Sequence, residues 1–575
     1  MKVNIVLSTI AKLYRMISAK HKMQLGLITV LTIGLSLVET LGISAIMPFI
    51  SIASNPDLLN EGLYRRAFEL FNFYDRNTFI IYFGFAIIAF YIFRGVYTVL
   101  HTYFLNRFSM AINKFFANKL FKIILSIPYR AYVQKNSSEF MQVINYESRQ
   151  LGVLIMSILH LNTELFTITL VYILLLVVNW QMTLVLTVVL ILLIVIFLSV
   201  LVKKNKSLSI KFVESNNKTI RIMMETFGNY KFARLKGNKN ELSSGYGSAM
   251  SEFAKAQVTN NTLSALPKSV LETLGFSLLI GTVVFILILY RDAAMVIPTI
   301  SMYALALYRL LPSVHRVLQN INNIVFRQRS LELIEEALNF PVENHGSEPL
   351  DFNESITLNN VSFSYETGGE VLKNISFTIN KGEKIAVTGE SGGGKSTLID
   401  LIIGIHKPAS GEIKIDGIPL TDANINSWRK KIGYIPQSIY LFDGTVAENV
   451  AYGSVFDKDK IVEALKKANI WEFLETKEGL QTRVGEGGIQ LSGGQQQRIG
   501  IARALYDDPE MLVLDEATSA LDNETEKKIM DEIYAASENK TLIAIAHRLT
   551  TVERCKRKIQ VENGMLADGV VIAGD

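Results

Sequence analysis

A single cysteine, Cys555, occurs in the 575 residues, which excludes an intramolecular disulfide and any metal site built on clustered thiols. Its expected role is that of a small packing residue. Charge is also scarce, at 19% of residues against 49% hydrophobic, and the mean hydropathy of +0.27 is apolar for a soluble enzyme. The first twenty residues lack a short apolar run followed by a small-residue cleavage site, so no cleavable signal is expected. MKVNIVLSTIAKLYRMISAKHK reads instead as an amphipathic basic helix lying on a membrane surface. No internal repeat and no low-complexity tract is present. The length leaves room for two or more domains with substantial cores.

What is present begins with apolar runs. Six segments, at roughly 24–52, 78–105, 150–178, 181–202, 263–290 and 294–325, are long enough to cross a bilayer core of ~30 Å as helices. Between the third and fourth, only the Asn179-Trp180 region breaks the run, as a tight external turn with an interfacial tryptophan. The net charge of +5 hints at a nucleic-acid partner until its location is checked. Lys and Arg crowd the N-terminal arm and the 106–149 and 203–262 segments, whereas the connections around 53–77 and 291–293 are shorter or charge-balanced. The positive-inside rule therefore puts both termini in the cytoplasm, and no nucleic acid is expected. Leucines and aromatics at helical spacing make 53–77 either a short amphipathic external helix or a capping loop.

After Phe326 a polar stretch carrying Pro341 and Pro349 reads as a helix end and a linker. From about Ile356, β-rich runs such as KIAVTGE, KIGYIPQ, MLVLDEA and TLIAIAH alternate with helical patterns, the mark of an α/β domain with a largely parallel sheet. GESGGGKST fits the nucleotide phosphate loop. Its Gly389, Glu390, Ser391, Gly392, Gly393, Gly394, Lys395, Ser396 and Thr397 are candidate ATP-binding residues. The glycines let the backbone approach a polyanion, and the following helix points its N-terminus at the phosphates. Lys395 is suited to the β- and γ-phosphates and the Ser396 hydroxyl to Mg²⁺. MLVLDE then holds Asp515 at a strand tip, as a direct or water-mediated Mg²⁺ ligand, with Glu516 beside it as general base for the attacking water.

LSGGQQQR completes a set that resembles the ATP-binding cassette (ABC) family, whose signature is LSGGQ. The resemblance covers the whole nucleotide domain, with its motifs in the family's order. It implies that Tyr365 stacks on adenine, that Gln437 senses Mg²⁺ and the attacking water, and that His547 contacts the γ-phosphate. Glu486 is similar to a cross-linking loop position, and SALD at 519–522 to the family's D-loop. Taken alone, Tyr365 or Gln437 would be an interface or turn residue and His547 a satisfied core group. Gly393 stands where many members have serine, a change expected to be tolerated. In the family each ATP lies between the phosphate loop of one domain and the signature of another, here Ser492, Gly493, Gly494 and Gln495. With one of each per chain, a symmetric homodimer is implied.

Six spans before one cassette resemble an ABC exporter half-transporter. The expected fold is a membrane α-helical domain of six transmembrane helices at 1–330, a linker at 331–353, and a C-terminal α/β P-loop NTPase domain at 354–575. Residues 126–144 and 225–237 are similar to the two cytoplasmic coupling loops that press into cassette grooves; solvated charged loops are the other reading. Arg94 and Arg309 lie in apolar runs, and Lys268 near the cytoplasmic side of the fifth span. Cations at such depth are costly and face a bundle interior or a cavity. They point to an anionic ligand, or else to internal pairing: Lys268 with Glu272, and Arg94 with Glu39 or Glu164. The spans also resemble, by pattern alone, flippases of polyprenyl-pyrophosphate-linked oligosaccharides. The expected activity is ATP-driven export or flipping of an anionic amphiphilic lipid in a bacterial inner membrane. Alternatives are a lipid A, general lipid or multidrug exporter, and an ATP-gated channel or regulatory subunit.

Overall fold

The computed structural model describes the chain except residues 1–2, 55, 61–64, 67, 70–74, 179, 291–296, 366–368, 516–522, 546–553, 568–570 and 573–575. Each predicted span becomes a helix longer than a bilayer needs: Ala19–Ser54, Arg76–Leu125, Ser148–Val178, Trp180–Gly228, Lys239–Tyr290 and Ile297–Phe326. The 50 residues of Arg76–Leu125 extend about 75 Å at 1.5 Å per residue, so the helix runs well past the hydrocarbon into water. Asn179 lies outside the described residues, between helices that end at Val178 and begin at Trp180. In the external connection Pro56–Asn60 is a 3-10 turn, and most of 61–74 lies outside the described residues.

Two compact units emerge: Met1–Leu125 with Lys135–Pro341, and Ser126–Gln134 with Val342–Asp575. In the first, Leu105, Phe108, Ile112, Phe116 and Leu120 recur at helical spacing and meet Leu151, Leu154 and Ile324 in a buried core. The N-terminal helix Val3–Met16, expected on a membrane surface, buries Val6 and Leu13 in that same core. Its Lys12 bonds Glu335 at 2.7 Å, on the helix Gln328–Leu338. The stretch expected as a linker thus starts inside that helix, which buries Leu331, Ile334 and Ala337. Its far end, with Leu350 and Phe352, is buried in the second unit.

The second unit carries two sheets. Strands β1 (Ser355–Ser364), β2 (Glu370–Asn380), β4 (Ser410–Ile415) and β5 (Ile418–Pro419) form an antiparallel sheet in the order β2-β1-β4-β5. The other sheet has a parallel centre, β9-β3-β8-β7-β6, made of Arg557–Glu562, Lys384–Thr388, Thr541–Ile545, Met511–Asp515 and Ile432–Ile435. Both faces of this centre are buried, which explains the continuous apolar runs of MLVLD and TLIAI. Met511, Val513, Ile543 and Ile545 point into one core, while Leu512, Leu514, Leu542 and Ala544 point into the other.

The first coupling segment, predicted from its resemblance, includes the five-residue helix Tyr129–Val133, which belongs to the cassette unit. The Glu343 amide donates to the Ser126 carbonyl at 2.8 Å, securing one end of that segment. The second is the helix Tyr230–Lys236, closed by Gly237 in the left-handed region at φ +69. Phe227, Tyr230, Phe232 and Leu235 are all exposed there.

Candidate functional site

Strand β3 delivers the chain into the phosphate loop at the carboxyl edge of the sheet, where open parallel sheets bind ligands. Gly389 has φ +138, and a Cβ there would stand 2.1 Å from the Val561 carbonyl oxygen, so only glycine fits. Gly393 has an ordinary φ, yet a Cβ would come within 3.0 Å of Val561 O and 3.1 Å of Glu390 O. The departure from serine therefore matches a tight backbone. The helix Lys395–Ile402 begins at once, and its first amides have no carbonyl one turn back to bond. Lys395 is buried, and its Nζ donates to the carbonyls of Gly389 at 3.0 Å and Glu390 at 2.8 Å. The Ser396 side chain is exposed and Thr397 is buried. This is a cradle of amides and one cation for a polyanion.

Thr397 also meets Tyr365, the ring expected to stack on adenine. Tyr365 Oη lies 3.2 Å from Thr397 Oγ1, and its ring meets Phe363 edge-on at 5.0 Å. With 39% exposure, Tyr365 keeps a ring surface open for stacking.

Across the sheet, Asp515 ends β7 in register with Ile545 at the end of β8. The Tyr434 hydroxyl donates to Asp515 Oδ2 at 2.9 Å. Burial, and then the Asp515 carboxylate, push Asp400 up to about 6 and push the Tyr434 phenol well above its usual range. Gln437 is exposed two residues beyond β6. Among the described residues no group of three metal-binding side chains occurs. The Ser396 hydroxyl and the Asp515 carboxylate are hard oxygen donors of the kind that would suit Mg²⁺, which keeps several waters and takes one or two protein groups beside phosphate oxygens. Glu516, His547 and residues 519–522 lie outside the described residues.

Neither Tyr434 nor Asp400 carries a motif, and sequence reasoning missed both. Their only signal is position, one on the strand before the Gln437 turn and one on the phosphate-loop helix. Tyr434→Phe is expected to raise the half-saturating Mg²⁺ for ATP turnover about tenfold, because a group that orients a metal-binding carboxylate is lost. Phosphate release titrated with Mg²⁺ measures this; an unchanged midpoint rejects the role.

The signature helix Gly493–Leu505 starts in a reciprocal cap: Gln495 N donates to Ser492 Oγ at 3.4 Å and Ser492 N to Gln495 Oε1 at 2.9 Å. Arg498 grips Glu532 with two bonds of 3.0 Å. Ser492, Gly493 and the nearby Glu486 are exposed. The helix packs by Ile499, Ile501 and Ala502 into one core, while the phosphate-loop helix packs by Leu398, Ile399 and Leu401 into the other. The signature helix and the phosphate-loop helix therefore pack on opposite faces of one sheet.

Among the membrane residues, Arg94 lies 3.6 Å from Glu39. That is an internal ion pair of the kind expected for a cation at this depth. Glu164 is taken by Arg316 instead, through a two-pronged contact that includes Nη2 to Oε2 at 3.1 Å and a bond from Nη2 to Ser313 Oγ at 3.2 Å. Lys268 is exposed, and among the described residues no ion pair joins it to Glu272. The Arg309 side chain lies outside the described residues.

Residues 372–519 match the ABC transporter family, and residues 24–309 match the ABC transporter transmembrane region. An ATP-dependent lipid A-core flippase of Coxiella burnetii is 30% identical over 504 residues, covering 85% of this chain and 84% of that protein. One of the same description from Burkholderia pseudomallei is 30% identical over 78% of this chain and 76% of its own. The heterocyst differentiation ATP-binding protein HepA of Nostoc is 28% identical over 78% and 74%. The fold is shared with a solved bacterial Atm1-family ABC exporter with ATP bound, at TM-score 0.78 and 23% identity over 96% of this chain and 94% of that one. With its apolar helices, phosphate loop and signature in one chain, this protein belongs to the ABC transporter family: an integral membrane exporter half with one transmembrane region and one cassette, which couples ATP hydrolysis to transport.

Proposed function

We propose that two copies of this chain form a flippase for an anionic lipid with a large polar head, in a bacterial inner membrane with both termini and both cassettes cytoplasmic. Each ATP is held by the phosphate loop of one copy and the Ser492–Gln495 cap of the other, since one cassette keeps these on opposite sheet faces. Glu516 polarises the attacking water, His547 contacts the γ-phosphate, and Gln437 senses both water and metal. Mg²⁺, when bound, neutralises charge developing on the phosphates. The exposed aromatic face of Phe227, Tyr230 and Phe232 is suited to a groove on the other copy's cassette. Domain limits follow the two units, with the division near Pro341.

The observation that carries the lipid reading is the polar interior of an otherwise apolar bundle. The Glu164–Arg316 pair and a buried Thr167–Ser36 hydroxyl contact lie on the apolar helices, while Ile81, Phe85, Ile88 and Ile92 are exposed on the Arg76–Leu125 helix. A polar path inside and a lipid-compatible surface outside suit a head that crosses while its tails stay in the bilayer. The relatives named as lipid A-core flippases favour a phosphorylated glycolipid of that kind. A polyprenyl-pyrophosphate-linked oligosaccharide is the second reading, favoured by the basic groups Lys268 and Arg316 within the spans.

Proteoliposomes test this with three lipids: a lipid A-core glycolipid, a polyprenyl-linked oligosaccharide and a labelled phospholipid. The first is expected to stimulate ATP turnover and to be flipped. The double variant Glu164→Gln, Arg316→Gln removes the charges without stranding one of them, and it should raise the half-stimulating lipid concentration about tenfold. Equal flipping of the phospholipid rejects the substrate class, and an unchanged titration rejects the polar site.

A further inference from the structure

A histidine stands where no nucleotide motif asks for one. His406 is 7% exposed and stacks on Phe363 at 5.0 Å with 25° between the rings. Its edge meets the Tyr365 ring at 5.7 Å and 87°, and the Tyr129 ring lies 5.9 Å away at 49°. Burial first, then the Arg130 guanidinium, hold His406 below the ordinary imidazole range, so the ring is neutral and aromatic at pH 7. All four rings belong to the cassette unit, Tyr129 through its segment Ser126–Gln134.

We infer that His406 is a positioning residue that joins the adenine-stacking ring of Tyr365 to the Tyr129 ring of the first coupling helix, so that seating the base sets where that helix rests. The inference rests on the adenine role of Tyr365 and is independent of which lipid is moved.

Two facts make the link consequential. The helix Tyr129–Val133 has five residues, no side-chain cap and no buried residue, so what it leans on decides its position. Tyr365, for its part, is anchored to the phosphate-loop helix through Thr397 and stands perpendicular to both Phe363 and His406. A base stacked on its open surface fixes that ring, and close-packed rings transmit a shift instead of absorbing it. Tyr129, on the other side of His406, is placed to receive that shift. The chain connects it directly to the helix ending at Leu125 and to the one beginning at Ser137.

Hydrogen exchange on the full-length protein in nanodiscs, without added lipid substrate, tests this in a Glu516→Gln background that slows hydrolysis. In the parent and in His406→Phe, Mg·ATP is expected to slow exchange across residues 126–134 about tenfold. His406→Ala should keep ATP protection at 389–397 yet show less than about a twofold change at 126–134. With Glu516 restored, its KM for ATP should rise about three- to tenfold and its kcat should change little, as expected for a loosened stacking ring. Equal protection of 126–134 in His406→Ala, or a phenylalanine variant as defective as alanine, overturns the inference. Should His406→Ala fail to fold, Tyr129→Leu decides: Tyr129 is 48% exposed, and the variant must lose the response at 126–134 while ATP still protects 389–397. A protein that passes these tests but flips no glycolipid rejects only the lipid.

Discussion

Lys395→Ala is expected to lower ATP turnover by at least about a hundredfold. The ammonium sits inside the loop, with two of its hydrogens on the Gly389 and Glu390 carbonyls and the third left for phosphate oxygen. Alanine removes the one cation in a cradle otherwise made of amide dipoles, where electrostatic interactions are far stronger than in water. It also strands two carbonyls that the lysine had satisfied, a penalty of about 1–3 kcal/mol for each buried one. A donor lost at the transition state costs about 2.7–4 kcal/mol, which is the hundredfold to thousandfold expected. Arginine should not rescue it, because the planar guanidinium is larger than the space between those carbonyls and the helix start. Phosphate release in reconstituted membranes measures the loss, with the melting temperature as a check on folding. Turnover within tenfold of the parent would remove Lys395 from the site.

Much of this architecture was legible because the relevant signals are local. Six apolar runs became six helices, and MLVLD and TLIAI became neighbouring parallel strands because both faces of each are buried. Motif order alone brought the phosphate loop, Asp515 and Gln437 to one edge of the sheet. What stayed hidden depends on contacts between distant residues of ordinary type. Tyr434 and Asp515 are 81 positions apart, and nothing in IGYIPQ distinguishes that tyrosine from an exposed strand residue. Arg94 had two candidate partners, Glu39 and Glu164, and the sequence did not choose between them, because residue counting registers depth but not rotation or tilt. The linker misled for a related reason. Leu331, Ile334 and Ala337 supply only a narrow apolar stripe in a charged stretch, yet that stripe is enough to seat a helix against the bundle. His406 had no signal at all, since stacking on Phe363 and facing Tyr129 are properties of the folded unit.

Mixing two inactive variants is expected to restore activity that neither has alone. Gly493→Asp puts a carboxylate at the first position of the signature helix, where an acidic residue suits the helix dipole and should not disturb folding. It does, however, place negative charge where, in the proposed dimer, the partner's γ-phosphate would approach, so homodimers of this variant should be as inactive as those of Lys395→Ala. In a mixed dimer, the intact loop of the Gly493→Asp copy faces the intact signature of the Lys395→Ala copy. The other site carries both lesions. Random pairing of equal amounts makes half the dimers mixed, each with one sound site, so about a quarter of the parent's sites return. Turnover should rise from about a hundredth of the parent's to about a fifth or a quarter. The two variants are coexpressed with different affinity tags, and the doubly tagged dimers are isolated to set the upper value. If those dimers show no more than the average of the two inactive proteins, each chain completes its own nucleotide site. The placement of the signature helix and the phosphate-loop helix on opposite faces of the sheet would then need another explanation.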